Sequence, residues 1–266
     1  MNAEVNRFDG DYYNRLPMLD DATRRLIRVR RDFDRFTRDA TALLADTEFC
    51  NGEIGALLLH RHWPVRAGQI MVERPTTLKD GTTALRTASM SATRAMKVAA
   101  TPSRWAAPEP DSWIVPLEFS TDPSVARVNE RLSSSQTILQ SLGDLLRRYG
   151  LEKIVGFMIV PRQTLRQASN CDYVETNEQN VSIITAEHLS ASDRQSHVRT
   201  GWSLAPKTKV RKGRRRPQGY CIHTPDYNCH HTPPVCKPHG CVKPDPRNPP
   251  DARKPKRPSK KRPSKK

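Results

Sequence analysis

The distribution of charge and proline divides this chain into two parts with different folding prospects. Residues 207–266 contain 19 Lys and Arg residues against 3 Asp and Glu residues, a net charge of +16, whereas the whole chain carries +17. The same residues contain 12 of the 22 prolines and few large apolar side chains. Such a segment cannot bury enough apolar surface to offset the entropy of ordering it, so we expect it to be disordered outside any metal-bound stretch.

The hydrophobic core must therefore come from the earlier residues, which are almost neutral. Residues 1–206 contain 26 basic and 25 acidic residues, a net charge of +1. We expect residues 1–19 to be irregular, residues 20–206 to form one globular domain, and residues 207–266 to form a basic tail. The first residues lack the apolar core of a signal peptide, and no apolar run approaches the roughly 20 residues that span a bilayer. The sequence thus predicts an intracellular protein with thiol or metal-bound cysteines.

Two segments show the periodicity of amphipathic helices. In the first, apolar residues recur at alternating intervals of four and three, which places them on one helix face. They are Ala22, Leu26, Val29, Phe33, Phe36, Ala40 and Leu43. The second segment starts with Asp122 as an N-cap and Pro123 in the first turn, and it ends before Gly150. These patterns predict two long amphipathic helices.

Short apolar runs between turn residues predict six strands. We expect a hairpin of two strands, a third strand interrupted by a proline, one central strand and a closing hairpin. Their ranges are Ile54–His62, Gln69–Arg74, Trp113–Phe119, Ile154–Val160, Tyr173–Thr176 and Val181–Glu187. Residues 75–112 are predicted to be a long loop with one short helix near Ser91–Ala99. Because hairpins and helices mix without regular alternation, we predict an α+β fold with one mixed or antiparallel sheet.

Part of this pattern resembles other sequences. The segment Leu57–Trp63, followed by Met71–Glu73, resembles a hairpin that recurs in predicted, mostly fungal, proteins with no assigned function. The segments Gly150–Val160 and Tyr173–Thr176 are similar to a later part of those proteins. The resemblance implies a single α+β domain and a fungal source, and it implies no catalytic residue.

A cluster of cysteine and histidine residues in the tail predicts a zinc site. Zinc takes four sulfur or nitrogen ligands, commonly supplied in pairs a few residues apart, and binding can itself drive folding of a small loop. The candidate ligands are Cys221, His223, Cys229, His230, Cys236, His239 and Cys241. Their spacing is not that of a standard zinc finger, so a flexible tail of biased composition is the competing interpretation.

Two basic runs flank this cluster and predict binding to nucleic acid or another polyanion. Each Lys or Arg that neutralises a phosphate releases a counterion, so binding would be insensitive to sequence and would weaken with salt. The candidate residues are Lys207, Lys209, Arg211, Lys212, Arg214, Arg215, Arg216, Lys256, Arg257, Lys260, Lys261, Arg262, Lys265 and Lys266. Such runs also act as nuclear-import signals, which predicts a nuclear location.

The folded part contains one candidate for catalysis. His60 and His62 lie two residues apart on a predicted strand and would share a face, and Glu73 could join them from the return strand of the hairpin. Two histidines and a carboxylate can bind a catalytic metal. Two satisfied, half-buried histidines are the competing interpretation, because Ala56 and Leu58 share the same face.

Three hypotheses of function follow from these patterns. The leading one is a non-enzymatic protein that binds nucleic acid or another polyanion through a cationic, zinc-stabilised C-terminal arm. The second is a metal-dependent enzyme with its site at His60, His62 and Glu73. The third is a protein-interaction module that uses the helix at 22–43 and is localised by its tail.

Overall fold

A computed structural model describes residues 7–108, 114–165, 171–205 and 219–223 of the chain. These residues form seven α-helices and ten strands. The helices are α1 (Gly10–Arg15), α2 (Leu19–Arg28), α3 (Arg30–Ala45), α4 (Ala92–Lys97), α5 (Pro123–Ser134), α6 (Gln136–Arg148) and α7 (Ala191–Ser196). The strands are β1 (Ile54–Leu58), β2 (Gln69–Thr77), β3 (Thr83–Ser91), β4 (Thr101–Ala106), β5 (Val115–Ser120), β6 (Val155–Ile159), β7 (Asp172–Glu178), β8 (Val181–Glu187), β9 (Val198–Ser203) and β10 (Gly219–His223).

The strands form one mixed sheet that closes on itself. Their order is β1-β6-β4-β5-β2-β3-β8-β7-β10-β9, and β9 pairs with β1 to complete a barrel. The β2–β5 and β7–β10 pairs are parallel, and the other pairs are antiparallel. This confirms the predicted combination of helices with a mixed sheet.

The largest apolar core lies between four helices and one part of the sheet. The helices α2, α3, α5 and α6 contribute apolar residues that pack with residues of β1, β6 and β9. Phe36 of α3 lies 6.4 Å from Phe157 of β6, and Phe33 makes an edge contact with Trp202 of β9 at 4.8 Å between ring centroids. Helices therefore cover the outside of these strands, while a second set of side chains points into the closed sheet.

The prediction of two long helices is wrong, because each predicted helix is broken in two. Val29 separates α2 from α3 with φ −108° and ψ 21°, and Ser135 separates α5 from α6 with φ −120° and ψ 49°. Ser135 follows two other serines, and the hydroxyls of Ser133 and Ser134 bond to backbone carbonyls one turn earlier. Serine and β-branched valine have low helix propensity, and the apolar spacing continues across both breaks, which hides them in the sequence.

The predicted hairpin is also wrong. Strand β1 pairs with β6 and β9, whereas β2 pairs with β3 and β5. The predicted loop at 75–112 contains the end of β2, all of β3 and all of β4, together with α4 close to the expected short helix. The predicted irregular N-terminus contains α1, whose N-cap Asp9 accepts a hydrogen bond from the Tyr12 amide.

Other sequence signals led to the right elements. Strand β6 is buried along its length between β1 and β4, as expected of a central strand. Pro116 lies in β5 opposite Trp105 of β4, and β2 pairs with β5 only at Phe119 and Ser120, so Pro116 interrupts no ladder on its other side. Strands β7 and β8 form the expected hairpin, and Gly150 ends α6 with φ 65°.

The C-terminal boundary of the folded region differs from the predicted one. Strand β10, Gly219–His223, falls within the predicted tail, yet it pairs with β7 and β9. The chain divides into two units, residues 1–224 and 225–266, and the whole second unit lies outside the described residues. Among the described residues, no helix combines the length and the apolar character that crossing a membrane requires.

Candidate functional site

Four ionisable side chains meet inside the closed sheet. Arg104 comes from β4, Glu118 from β5, Glu175 from β7 and His62 from the segment after β1, and each residue is at most 6% exposed. The guanidinium of Arg104 donates to Glu118 Oε1 and to Glu175 Oε2, at 3.2 Å each. His62 Nε2 lies 3.4 Å from a carboxylate oxygen of each glutamate. We call these four residues the ionic cluster.

A second buried ion pair lies close to the ionic cluster. Arg162 Nε donates to Glu73 Oε1 at 2.6 Å, and the Ser120 hydroxyl donates to the same oxygen at 2.7 Å. Arg162 also donates to the carbonyls of Ile159 and Pro161, which anchors it where β6 ends. Glu73, Arg104, Arg162 and Glu175 all line one small cavity. The two groups of charges therefore form one polar interior.

The charges of this interior balance only when His62 is protonated. Three carboxylates face two guanidinium groups, and an imidazolium supplies the missing positive charge. Burial alone lowers the pKa of His62, but the Glu175 charge and the hydrogen bond and charge of Glu118 raise it above its ordinary value of 6.5. Burial raises the pKa of Glu175, yet Arg104 and His62 together with the Ser182 hydrogen bond lower it well below its ordinary range. A charged His62 thus offsets the buried carboxylates.

His60 and Tyr13 complete the surroundings of His62. The rings of His60 and His62 meet edge to face with 5.0 Å between centroids, and His60 Nδ1 lies 2.8 Å from the Leu58 carbonyl. The Tyr13 hydroxyl, brought by α1, accepts a hydrogen bond from the His62 amide at 3.4 Å. Burial, and next the charge of Glu118, raise the pKa of Tyr13 well above its ordinary value. The hydroxyl stays neutral at physiological pH.

The cavity at the ionic cluster is small. Its volume is about 30 Å³, and Leu57, Met158, Tyr173, Gly201 and Gly219 provide much of the rest of its wall. One water needs roughly 10–15 Å³ on this measure, so the cavity has room for one or two waters. A typical small-molecule site is on the order of ten times larger. The geometry supports ion pairing and water binding more than the binding of an organic substrate.

The structure rearranges the predicted site of His60, His62 and Glu73. The two histidines are close together, but they follow β1 and do not face β2 in a hairpin, and Glu73 is bound by Arg162 and Ser120. Within the described part of the chain, no three His, Cys, Asp or Glu residues form a group that could hold a metal ion. The Arg104 guanidinium takes the position between Glu118 and Glu175 where a bound cation would lie.

Most of the predicted tail sites fall outside the described residues. Of the predicted zinc ligands, Cys221 and His223 lie in β10, where Cys221 pairs with Glu175 of β7 and Val198 of β9. The predicted ligands from Cys229 to Cys241 and all of the predicted polyanion-binding residues from Lys207 to Lys266 lie outside the described residues. Both remain predictions.

Sequence reasoning missed Arg104, Glu118, Glu175 and Arg162. One signal for them exists: each is a single charged residue within or next to a strand-like stretch, and both signs of charge occur. A charged residue at an inward position of a strand must be paired, so opposite charges in different strands point to one another. The sequence alone does not show which strands are neighbours, so it could not show these pairs.

Comparison with known proteins adds no family to this geometry. A scan against protein-family models, a search of curated proteins and a search of solved structures each found no match to this chain.

Proposed function

We propose that this protein binds nucleic acid through a cationic C-terminal arm, defined as residues 207–266, which a folded domain presents. The observation that carries the proposal is the separation of charge: the arm has a net charge of +16 and residues 1–206 have +1. A nucleic acid is a polyanion that such a charge density attracts, because counterion release drives the association. The arm would bind backbone phosphates without reading base sequence.

The charges on α2 and α3 support the same partner. Four arginines on these helices, Arg25, Arg28, Arg31 and Arg38, are exposed. None of them makes an ion pair or a hydrogen bond through its side chain with another described residue. Three neighbouring arginines, by contrast, pair with aspartates three or four residues away. The folded domain therefore adds unpaired positive charge in spite of its neutral total.

The two other hypotheses receive less support from the described residues. The apolar stripe of α2 and α3 is packed into the core, where Leu26, Phe33 and Phe36 are at most 6% exposed, so it is not a free surface for a protein partner. The ionic cluster encloses space for water only. We assign this cluster a role in holding the closed sheet together. The metal-dependent enzyme stays a prediction, which metal analysis can decide.

The arm is also proposed to bind zinc through ligands drawn from the seven candidates Cys221, His223, Cys229, His230, Cys236, His239 and Cys241. A zinc ion would fold a short loop of the arm without a hydrophobic core. The basic runs on either side of this loop would then both be anchored to it.

A charge-for-charge comparison tests the proposal. The arm variant changes Lys260, Lys261 and Lys265 to Gln, and the domain control changes Lys79, Lys97 and Lys153 to Gln, which removes three exposed lysines from the folded part. Binding of a labelled duplex DNA is measured by fluorescence anisotropy at several salt concentrations. Each lost phosphate contact lowers the slope of log K against log salt by about 0.9, so the arm variant should lose a slope of up to about 3.

The domain control shows whether a loss of binding depends on the position of the charges in the arm or only on the net charge of the protein. We expect the domain control to keep the slope and the affinity of the wild-type protein, since its lysines lie outside the arm. Equal losses in both variants would show that only total charge matters and would refute the arm. Absence of salt-dependent binding by the wild-type protein would refute the function itself.

A further inference from the structure

A groove between α3 and β9 has a chemical character distinct from that of the cavity at the ionic cluster. Its volume is about 490 Å³, within the range of roughly 300–1,000 Å³ typical of small-molecule sites. Residues of α3 form one wall, and Arg199, Trp202 and Ser203 of β9 form the other, with Ala205 at the end of the described segment. This groove lies outside the closed sheet and shares no lining residue with the cavity at the ionic cluster.

The groove is positively charged. Three guanidinium groups line it, from Arg30, Arg38 and Arg199, and the one carboxylate is that of Asp34, which pairs with Arg30 at 3.1 Å. Arg38 is exposed and makes no ion pair or side-chain hydrogen bond with another described residue. A guanidinium can donate two parallel hydrogen bonds to a phosphate. The groove therefore offers Arg38 as an uncommitted anchor for an anion.

The floor of the groove consists of Trp202 and Phe33, which contact each other edge to face and are at most 7% exposed. The Arg199 guanidinium lies over the indole ring, 5.2 Å from its centroid, so the outer face of this guanidinium is the flat surface that a base can reach. Arginine planes and aromatic rings are the groups on which single-stranded bases stack. The hydroxyls of Thr37 and Ser203 add hydrogen-bonding groups to the walls. An acidic peptide would use the arginines as ion-pair partners only, whereas a base would also use the plane of Arg199.

The groove also lies where the arm begins. Ala205 lines it, and the basic run of Lys207–Arg216 starts two residues later in the sequence. The sequence that follows this lining residue therefore carries seven Lys and Arg residues within eleven positions of Ala205.

We propose that the α3–β9 groove binds one nucleotide unit of a single-stranded nucleic acid, with Arg38 on a phosphate and the Arg199 plane against a base. This inference rests on the proposed function of the arm. It adds a defined site on the domain, and it selects single strands, because a base must be unstacked to enter a groove of this kind.

The test uses the full-length protein and a fluorescein-labelled single-stranded oligonucleotide of mixed sequence. Arg38→Ala removes the anchor, and Arg94→Ala is the matched control, because Arg94 of α4 is also an exposed helix arginine without an ion pair among the described residues and does not line the groove. Arg38→Ala should weaken binding about tenfold, as expected for the loss of a charged hydrogen-bonding contact. Arg94→Ala should change it less than about twofold, as expected for one screened surface charge. Arg38→Lys keeps the positive charge but lacks the paired donors of the planar guanidinium, so its loss of affinity should lie between those of the other two variants.

The outcomes separate this inference from the function on which it rests. Equal effects of Arg38→Ala and Arg94→Ala, with binding still dependent on Lys260, Lys261 and Lys265, would overturn the groove and keep the arm. Competition by polyglutamate as strong as competition by the unlabelled oligonucleotide would overturn the nucleotide as its ligand. If the wild-type protein binds neither single-stranded nor duplex nucleic acid, both proposals fall.

Discussion

Arg104 is the residue on which the interior of the closed sheet depends most. It joins Glu118 of β5 to Glu175 of β7, and β4, β5 and β7 have only one direct pairing among them, between β4 and β5. Removal of Arg104 would leave the buried carboxylates of Glu118 and Glu175 without their main partner. Because a buried charge is costly unless it is paired, this loss would destabilise the domain. The stability of the cluster therefore depends on all of its members being present.

Replacement of Arg104 by Met tests this dependence. We expect Arg104→Met to lower the free energy of unfolding by about 3–5 kcal/mol, the usual cost of breaking a buried ion pair from one side. Urea denaturation measures it. Arg25→Met, an exposed site on α2, should stay within about 0.5 kcal/mol of the wild-type protein. A loss below about 1 kcal/mol for Arg104→Met would contradict the assigned structural role.

His62 makes the stability of the domain dependent on pH. It faces Glu175, Glu118, Arg104, His60 and Tyr13, and its pKa is raised above 6.5. A raised pKa means that the folded protein holds the proton more tightly, so the stabilisation is complete below pH 6.5 and is lost as pH rises through the pKa of the folded state. Glu175 acts in the opposite direction at acidic pH, because its lowered pKa gives stability that is lost as pH falls.

The role of His62 is tested by measuring the free energy of unfolding between pH 6 and pH 9. This range extends from below the ordinary pKa of histidine to well above it. We expect the wild-type protein to lose stability as pH rises in this window, and His62→Gln to be less stable overall but nearly independent of pH. His188→Gln, at an exposed histidine, is the control and should keep the wild-type slope. An unchanged slope in His62→Gln would show that another group is responsible.

At the scale of elements, close approach of strands limits which side chains the sheet accepts. A Cβ atom at Gly156 of β6 would lie 2.2 Å from the Trp105 carbonyl oxygen of β4, which is backbone and cannot move aside on its own. Trp105 follows Arg104, so a shift of β4 would also disturb the ionic cluster. Glycine is therefore required at position 156 because β4 leaves no room for a side chain, and not because the backbone adopts a conformation that favours glycine.

Substitution of Gly156 by Ala should destabilise the domain by about 2–3 kcal/mol, the upper part of the range for overpacking. The matched control is Gly143→Ala in α6, where the nearest atom would lie 3.4 Å from the new Cβ, an ordinary contact. Alanine is favoured over glycine in a helix by about 0.5–1 kcal/mol, so Gly143→Ala should be neutral or stabilising. Thermal unfolding of both variants distinguishes them, and equal melting temperatures would contradict the packing argument.

The elements that could be predicted are those with strong local signals. The Asp122 cap, Gly150 and the apolar run of β6 each carry a physical requirement in their own residues. Strand β3 does not, because TALRTASMS is built from small and polar residues whose burial comes from its neighbours β2 and β8. The ionic cluster could not be predicted for the same reason, since strand order brings its members together. Sequence patterns show which residues need partners, but tertiary structure decides which partners they get.

At the scale of the whole molecule, β10 is the element that links the folded domain to the arm. It pairs with β7 and β9, and without it the edges of these two strands would not be joined. Gly219 of β10 would place a Cβ 3.2 Å from the Gly201 backbone of β9, and both glycines line the cavity at the ionic cluster. The closure of the sheet therefore depends on residues that the sequence groups with the arm.

Zinc binding is the prediction that concerns the whole chain. Cys221 and His223, two of the proposed zinc ligands, belong to β10, and the proposed ligands from Cys229 to Cys241 lie outside the described residues. We expect about one zinc per chain by elemental analysis of protein purified without chelator. Removal of the zinc by a chelator should lower the melting temperature, because a ligand at about 100 times its Kd stabilises the folded state by about 2.7 kcal/mol.

The double variant Cys236→Ser/Cys241→Ser removes two proposed ligands that lie outside β10. It should contain no zinc and should melt at the temperature of the chelated wild-type protein, with no further effect of chelator. The control is Cys50→Ser, at a free cysteine outside the proposed site, which should retain both the zinc and the response to chelator. Zinc that persists in the double variant would move the metal away from the arm and make His60, His62 and Glu73 the next ligands to replace. A wild-type protein without zinc would instead leave β10 to be held by its strand pairing alone, and the melting temperature would then be insensitive to chelator.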